Sequence, residues 1–323
     1  MTPPRQQSGA ALLMAMLTAA LVATVAATAS WRVWQISEVE AAEQDRAQMA
    51  WVLQGALDWA RLLLREDGRA NLRDPVDHLN EPWALPLEEA RLSTFLAAKD
   101  EASAQASVNE AFLSGWVVDA QSRFNLNNLW DAQGGVSSDD VAILVRLCEL
   151  SGTPAQPWLS AMALMAPQAE DGRRPVPAQK LDDWRRAGVP ALLIEAMRPW
   201  LTVLPQRTPI NVNTAPAEVL AAVMDNAALA DAAQWVRERN LKPYTSINDW
   251  SQRHPLARPL LARAMATQSN FFEVTGQLRI GAHSVIETSL LQRERLQVSV
   301  VWRQRRNATR TVVFAGGAPE GDE

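Results

Sequence analysis

Few residues of this chain have types and spacings that could support chemistry. The three histidines, His78, His254 and His283, lie far apart, and none has a second His or Cys at zinc-ligand spacing. The sequence contains no serine nucleophile elbow, Walker loop or dinucleotide-binding fingerprint. We therefore predict that the protein is not an enzyme and requires no cofactor.

Acidic residues are the other candidates for ligand binding. Adjacent acidic pairs, among them Asp139-Asp140, Glu170-Asp171 and Asp182-Asp183, are more typical of helix starts and solvated loops than of binding sites. Calcium prefers loops dense in oxygen ligands, so the segment from Asp119 to Asp131 is a candidate, although it lacks EF-hand spacing. The sequence allows a structural calcium ion but assigns no ligands to it.

The most specific internal motif is INVNTA at residues 210–215, whose polar members are Asn211, Asn213 and Thr214. The motif resembles the opening of helix-hairpin-helix modules, which hold the nucleic-acid backbone on glycine-flanked amides. Here the corresponding segment, 224–228, has no glycine and carries an acid. We therefore expect a structural role, with the asparagines pairing backbone groups in a tight turn and Asn213 or Thr214 capping the next helix.

The elements that would carry these residues begin with an N-terminal helix. No charged side chain lies between Arg5 and Arg32, and this run exceeds the ~20 apolar residues that cross a bilayer. Apolar residues at steps of three and four continue to about Glu66, and Gly68 is the first clear stop. We predict one continuous transmembrane and amphipathic helix over 10–66.

Three interpretations of this helix stay open. Ala27-Thr28-Ala29 fits the cleavage site of a secretory signal peptide, and the run also fits an uncleaved anchor. The third is a leader of the type IV pilin kind, cut after Gly9 to leave Ala10 as the new terminus. The helical pattern continues past Ser30, which favours the leader because a signal peptide is not normally the first half of a longer amphipathic helix.

A stripe of small side chains recurs within the apolar run. Residues four apart lie on one narrow helical face, where small side chains let two helices approach closely in lipid. The members of this alanine stripe are Ala11, Ala15, Ala19, Ala23 and Ala27. We predict that it is a helix-packing face, with chance alanine enrichment as the alternative.

The amino-acid composition limits the classes of partner that we expect. The chain has 323 residues and a formal charge of −5, so a nucleic-acid partner is not expected. The lone Cys148 excludes an internal disulfide and lies in an apolar helical pattern typical of a buried residue. Thirteen Trp against one Tyr favours aromatic residues at an interface as well as in the core.

Strand and helix patterns alternate after the first helix. Residues 114–129 predict a β-hairpin, which follows a polar stretch containing the turn NEPWALP. Capping signals and apolar periodicity predict an inserted α-helical domain over 137–266. Alternating strands follow over 267–315, with TRTVVF as a further strand, before a disordered tail over 316–323. We predict an α+β fold in which residues 67–136 and 267–315 share one antiparallel sheet.

The chain as a whole resembles the minor pseudopilin K family of the type II secretion system. The resemblance rests on the Gly9-Ala10 junction with its apolar helix, and on NEPWALP, VVDAQSRFNLNNL, INVNTAPAEVL and FFEVTGQLRIG with the later SLLQRER. It implies a pilin-like fold, a long N-terminal helix packed on an antiparallel sheet, with a large inserted α-helical domain. It also implies cleavage after Gly9 and N-methylation of Ala10 by prepilin peptidase.

The resemblance also implies a location and partners. The protein would be a single-pass protein of the bacterial inner membrane with its soluble domain in the periplasm. It would cap the tip of the pseudopilus and help initiate assembly, for export of folded proteins across the outer membrane. Expected partners are minor pseudopilins I and J, also H, prepilin peptidase and the inner-membrane assembly platform. Calcium is associated with the family, without ligands that map onto named residues here.

One position departs from ordinary pilin-like subunits. Most of them carry glutamate at the fifth mature position, where this chain has Met14. A carboxylate in lipid is costly unless paired, and in ordinary subunits its partner is a neighbour's terminal amine. Met14 therefore fits a first subunit, which has no amine ahead of it to neutralise.

Two other functions compete with this one. A membrane-anchored periplasmic DNA-binding protein would use the helix-hairpin-helix resemblance, and a secreted hydrolase would be cut after Ala29. A basic patch and a glycine hairpin would support the DNA-binding function, and the sequence has neither.

Overall fold

The computed structural model describes residues 8–73, 75–92, 111–166, 176–260, 263–280 and 283–308, and all structural statements refer to these. Residues 1–7, the pair Glu170-Asp171, the segment TRTVVF and the tail 316–323 lie outside them. The chain divides into two compact units, Met1–Gln54 and Gly55–Glu323. Helix α1 (Ser8–Ala70) supplies the first unit up to Gln54 and begins the second.

The first unit is apolar over most of its length. Its segment Ala10–Glu40 contains an 18-residue window with a mean hydropathy of 2.2, and none of that window is buried in the described structure. The hydroxyls of Thr18, Thr24 and Thr28 donate to carbonyl oxygens three or four residues earlier. These bonds satisfy the polar groups within the helix, as a lipid environment requires. The segment is long and apolar enough to cross a membrane.

In the second unit α1 runs past its predicted end near residue 66 and finishes at Ala70. Gly68 lies inside the helix and does not stop it. A Cβ added at Gly68 would lie 2.9 Å from the carbonyl oxygen of Arg295. Because glycine has no side chain, the helix can pass close to the turn at Arg295 at this position.

The second unit is built on a five-stranded antiparallel sheet with strand order β1-β2-β9-β10-β11. These strands are β1 (Leu87–Arg91), β2 (Ala111–Asp119), β9 (Phe271–Ile280), β10 (His283–Glu294) and β11 (Gln297–Ala308). The last three form a meander, as their alternating pattern predicted. The predicted α+β fold class is confirmed.

Each face of the sheet packs against a different element, because neighbouring residues in a strand point to opposite faces. On one face Phe272 and Leu291 pack with Leu57 and Leu64 of α1 in a cluster with Trp83. The Trp83 ring meets Phe272 edge-on, with ring centroids 5.2 Å apart. On the other face Phe271, Leu290 and the partly buried Trp302 pack with Ala120 and Leu204.

Between β2 and β9 the chain forms a compact helical block, defined here as residues 124–266. Its helices are α2 (Ser138–Leu150), α3 (Gln156–Met165), α4 (Ala191–Met197), α5 (Ala217–Val223), α6 (Leu229–Leu241) and α7 (Ile247–Arg253). Three two-stranded pairs complete it: β3 (Phe124–Asn125) with β4 (Leu201–Thr202), β5 (Ile210–Asn211) with β8 (Met265–Ala266), and β6 (Met224–Asp225) with β7 (Arg258–Pro259). Its core includes Phe124, Leu126 and Trp130, which precede the predicted start at residue 137.

The predicted hairpin over residues 114–129 is wrong. Strand β2 pairs with β1 on one side and β9 on the other, whereas β3 pairs in parallel with β4. Asp119 accepts a hydrogen bond from the backbone N–H of Gln121 at 2.8 Å and caps a 3-10 turn, Ala120–Ser122. The alternating pattern identified the strand but not its partners. The turn at Asp119 sends the chain into the helical block instead.

Candidate functional site

Polar residues from six separate segments meet at one buried place in the second unit. We call it the polar junction and define it by Asp67, Asp77, Asp119, Asn211, Thr214, Ser269 and Arg293. Asp67 lies near the end of α1, Asp77 in the loop after it, and Asp119 at the end of β2. Asn211 and Thr214 belong to the INVNTA motif, Ser269 lies just before β9, and Arg293 lies near the end of β10. Asp77 and Asp119 are each 1% exposed, and Asn211 and Ser269 are fully buried.

Asp119 is the acceptor at the centre of the junction. Its Oδ2 accepts hydrogen bonds from the Asn211 side-chain amide at 3.0 Å and from the hydroxyls of Thr214 and Ser269, each at 2.6 Å. Its Oδ1 accepts the Gln121 N–H. Burial raises the pKa of Asp119 to about 6, and the hydrogen bonds from Ser269 and Thr214 oppose that shift. A carboxylate in this setting is held in place by its donors.

Asn211 links the carboxylate of Asp119 to the other residues of the INVNTA motif. Its amide nitrogen also lies 3.1 Å from the backbone oxygen of Asp77, and its Oδ1 accepts the Asn213 N–H at 2.9 Å. Asn213 in turn exchanges two hydrogen bonds with the backbone of Tyr244, both at 2.9 Å. The two asparagines therefore use their side chains to order backbone within and beyond the turn.

Thr214 does not cap the helix that follows. Its hydroxyl donates to Asp119 and, among the described contacts, accepts no backbone N–H of that helix. Helix α5 begins at Ala217 with Pro216 as its N-cap residue, and no side-chain capping bond is made there in the described structure. The predicted cap by Asn213 or Thr214 is wrong.

Arg293 joins the sheet to the end of α1. Its guanidinium pairs with Asp67 at 2.6 Å and Asp77 at 2.5 Å, and donates to the backbone oxygen of Ser269 at 3.0 Å. Its Cζ lies 4.8 Å from the centroid of the Phe272 ring. Burial and the nearby Glu81 raise the pKa of Asp67 to about 7, against the opposing charge of Arg293.

Three carboxylates at the polar junction and beside it form a candidate cation site. Carboxylate oxygens of Asp67, Asp77 and Glu81 lie within 4.8 Å of one another. Arg293 already supplies a positive charge to two of them, and Glu81 accepts hydrogen bonds from the side chains of Asn71 at 3.0 Å and Trp83 at 2.7 Å. The trio is therefore satisfied by protein donors.

The acids at the two ends of the calcium-candidate loop, Asp119 and Asp131, accept hydrogen bonds from protein donors. The carboxylate oxygens of Asp119 accept the four hydrogen bonds described above. Asp131 Oδ1 accepts backbone N–H groups of Gln133 at 2.9 Å and Gly135 at 2.8 Å. Calcium takes six to eight oxygen ligands, and the described contacts identify no such set in this loop. Calcium binding stays a prediction.

The predicted leader residues and the alanine stripe belong to the first unit. Gly9 and Ala10 lie in the first turns of α1, and Met14 is 71% exposed on the same helix. All five stripe alanines are exposed. The processing, methylation and packing roles of these residues stay predictions.

Two side chains of the helical block that could react, those of the half-buried His254 and the buried Cys148, belong to its packing. His254 Nε2 lies 2.9 Å from the Tyr244 hydroxyl, its ring packs beside Trp235 and Trp250, and burial lowers its pKa. Cys148 is fully buried, and burial raises the pKa of its thiol. Both arrangements are structural.

Sequence reasoning missed most of the junction. Asp67, Asp77, Ser269 and Arg293 stand alone in polar stretches and have no spacing that marks them. In the sequence, Asp119 stands out only as the first residue of the calcium-candidate segment. A polar residue that ends a strand, as Asp119 does, was the one available signal. The assembled junction offers donors matched to acceptors, and it can hold three parts of the chain together.

Comparisons with known proteins agree with this geometry. A family model described as type II secretion system (T2SS), protein K matches residues 210–268, the segment that supplies Asn211 and Thr214. The type II secretion system protein K of Pseudomonas aeruginosa is 28% identical, over 90% of this chain and 90% of that protein. A chain in the crystal structure of the GspK-GspI-GspJ complex from enterotoxigenic Escherichia coli shares the fold. The match has a TM-score of 0.63 and a sequence identity of 20%. It covers 83% of this chain and 99% of the chain in that complex.

A helix that starts with an apolar span and packs on an antiparallel sheet defines a pilin-like subunit. The sequence comparisons make the chain a homologue of type II secretion system protein K, the resemblance that the sequence predicted, and the solved structure shares its fold. The predicted resemblance and the predicted fold class are confirmed.

Proposed function

We propose that this subunit caps the tip of a pseudopilus and helps to start its assembly. The observation that supports this role is the helical block. It is inserted between β2 and β9, which remain paired from Ala111↔Ile280 to Asp119↔Phe272. A pilin-like head therefore carries a large extra body without loss of its sheet, and a fibre of close-packed heads has room for that body only at an end.

Met14 supports the same position. The first unit has no carboxylate at the fifth mature residue, and its segment from Ala10 onward is apolar. A subunit with nothing ahead of it has no terminal amine to pair with such a carboxylate. The first unit would anchor the protein in the inner membrane, with the second unit in the periplasm.

The proposed partners follow from the family. The related complex contains GspK, GspI and GspJ, and we propose that this chain assembles with its own minor pseudopilins I and J, and with H. Prepilin peptidase would cut after Gly9 and methylate Ala10, and the inner-membrane platform would drive assembly. The chain itself would have no catalytic role.

Labelling of assembled fibres tests the cap. Leu192 is 86% exposed in α4, so Leu192→Cys in a Cys148→Ala background gives one accessible thiol for gold. We expect one label at one end of each fibre, with Cys148→Ala alone unlabelled. Labels that repeat along the shaft would rule out the cap. Met14→Glu should leave secretion nearly intact, whereas a strong secretion defect would argue for a partner ahead of this subunit.

A further inference from the structure

Helix α1 carries two exposed tryptophans where its apolar run ends. Trp31 and Trp34 are 59% and 54% exposed, and their ring centroids lie 5.2 Å apart with an interplanar angle of 46°. Residues three apart share a helical face, so the two indoles form one aromatic patch. Arg32, between them in sequence, is the first charged residue after Arg5.

The distance of this pair from the predicted mature terminus matches a bilayer. An α-helix rises 1.5 Å per residue, so Trp31 lies roughly 32 Å along the axis from Ala10. The hydrocarbon core of a bilayer is about 30 Å thick. A helix with Ala10 at one interface therefore brings Trp31 and Trp34 to the other. Charged residues then recur at Glu38, Glu40 and Glu43.

Indole chemistry suits that level of the membrane. Each ring offers a large apolar surface and one N–H donor, a combination that accumulates at the lipid headgroup level. The span itself contains many alanines, which contribute little to insertion compared with Leu, Ile or Phe. The apolar residues alone therefore hold α1 only weakly at one depth in the bilayer.

We propose that Trp31 and Trp34 form an interfacial anchor that binds the headgroup region of the periplasmic leaflet and fixes the depth of α1. This inference rests on the proposed membrane anchoring of the first unit. The competing occupant is a helix of a partner subunit. The pair coincides with the end of the apolar run and with the first charge, which a bilayer boundary requires and a protein contact does not.

Accessibility in vesicles tests the anchor. The full chain with Cys148→Ala is reconstituted in phosphatidylethanolamine and phosphatidylglycerol vesicles, and single cysteines replace Thr28 or Ser37, on either side of the pair. A membrane-impermeant maleimide should label Ser37→Cys rapidly and Thr28→Cys slowly. Adding Trp31→Ala with Trp34→Ala should reduce the ratio of the two rates several-fold, because the helix then moves more freely along its axis.

The control variant, Trp51→Ala with Trp59→Ala, removes two exposed indoles of α1 beyond the apolar run. It should leave the labelling ratio unchanged. An unchanged ratio in the Trp31 and Trp34 variant would overturn the anchor, and a loss of cross-linking to a co-reconstituted pseudopilin in that case would assign the patch to a protein partner. Equal labelling of Thr28→Cys and Ser37→Cys in the otherwise native chain would overturn the membrane anchoring itself.

Discussion

The side-chain amide of Asn211 lies 3.0 Å from the carboxylate of Asp119, although the two residues are 92 positions apart in sequence. Asp119 ends strand β2 of the sheet, and Asn211 belongs to β5 of the helical block. The same carboxylate binds Ser269, next to the start of β9. One buried acid therefore holds the block at both of its connections to the sheet.

Asn211→Ala should lower the free energy of unfolding by about 1–3 kcal/mol, because buried acceptors on Asp119 and Asp77 lose a donor. Denaturant unfolding of the full chain in detergent measures this loss. Gln234→Ala is the control, since Gln234 is exposed and bonds only the half-buried Glu238 among described contacts. Equal losses from both variants would contradict the role of Asn211.

Stability should fall as the pH rises from about 4 to 6. The pKa of Asp119 is raised from 3.8 to about 6 in the folded protein, so the folded state binds more protons in this window. The decrease attributable to Asp119 is roughly 3 kcal/mol at most, at 1.36 kcal/mol per pKa unit. Unfolding free energies at pH 4 and pH 6.5 measure it.

Asp119→Asn serves as the control for that pH dependence. It should remove the Asp119 share of the decrease between pH 4 and 6 and leave the share of Asp67, whose pKa is raised to about 7. It should also weaken the fold, because its amide group would face donors rather than acceptors. A variant that keeps the full pH dependence would assign it to other groups.

Arg293→Met should destabilise the protein by roughly 3–5 kcal/mol at neutral pH, because it leaves the buried Asp67 and Asp77 without their cation. The defect should shrink at pH 5, where Asp67, with its pKa raised to about 7, is largely protonated in the folded protein. Arg65→Met is the control, since the Arg65 side chain is 47% exposed. Thermal melts at both pH values would show the difference, and a pH-independent defect would argue against charge as its cause.

Gly9→Val should leave an uncut precursor in the inner membrane if the leader is of the pilin kind. Ala29→Pro, which blocks the alternative signal-peptide site, should still allow maturation. Mass spectrometry of the mature N-terminus distinguishes the two, with N-methylated Ala10 as the expected first residue. A chain that begins at Ser30 would restore the signal-peptide interpretation.

Ala19→Leu should weaken cross-linking between α1 and a partner pseudopilin helix, because it fills the narrow face formed by the alanine stripe. It should also improve retention in the membrane. Leu21→Ala, off the stripe, should change cross-linking less. Equal effects from the two substitutions would show that the stripe is a consequence of composition.

The sequence predicted those elements that a regular pattern defines. Helix α1 and the strands β9, β10 and β11 follow from apolar residues at steps of three, four or two. The partners of β2 did not follow, because alternation identifies a strand without identifying its neighbours. A glycine at position 68 is typical of a helix stop, and the close approach of Arg295 explains why a glycine lies within the helix instead.

The polar junction was the least predictable feature. Asn211 and Thr214 stood out through their motif, but their main acceptor, Asp119, lies in another segment. Arg293 and Ser269 have no local pattern at all. Hydrogen bonds between residues so far apart depend on the completed fold, and a single sequence carries no signal for them.

The insertion of the helical block between two paired strands has a consequence for folding kinetics. Asp119 and Ser269, which flank the block, are 150 residues apart in sequence, so pairing of β2 with β9 has a large loop-closure entropy while the block is unfolded. A folded block brings its two ends together and removes most of that cost. Within the meander, β9 pairs with β10 and β10 with β11 through contacts that are local in sequence, so these pairings can form early. Folding should therefore be sequential. The helical block and the meander should form first, and the pairing of β2 with β9 should form last.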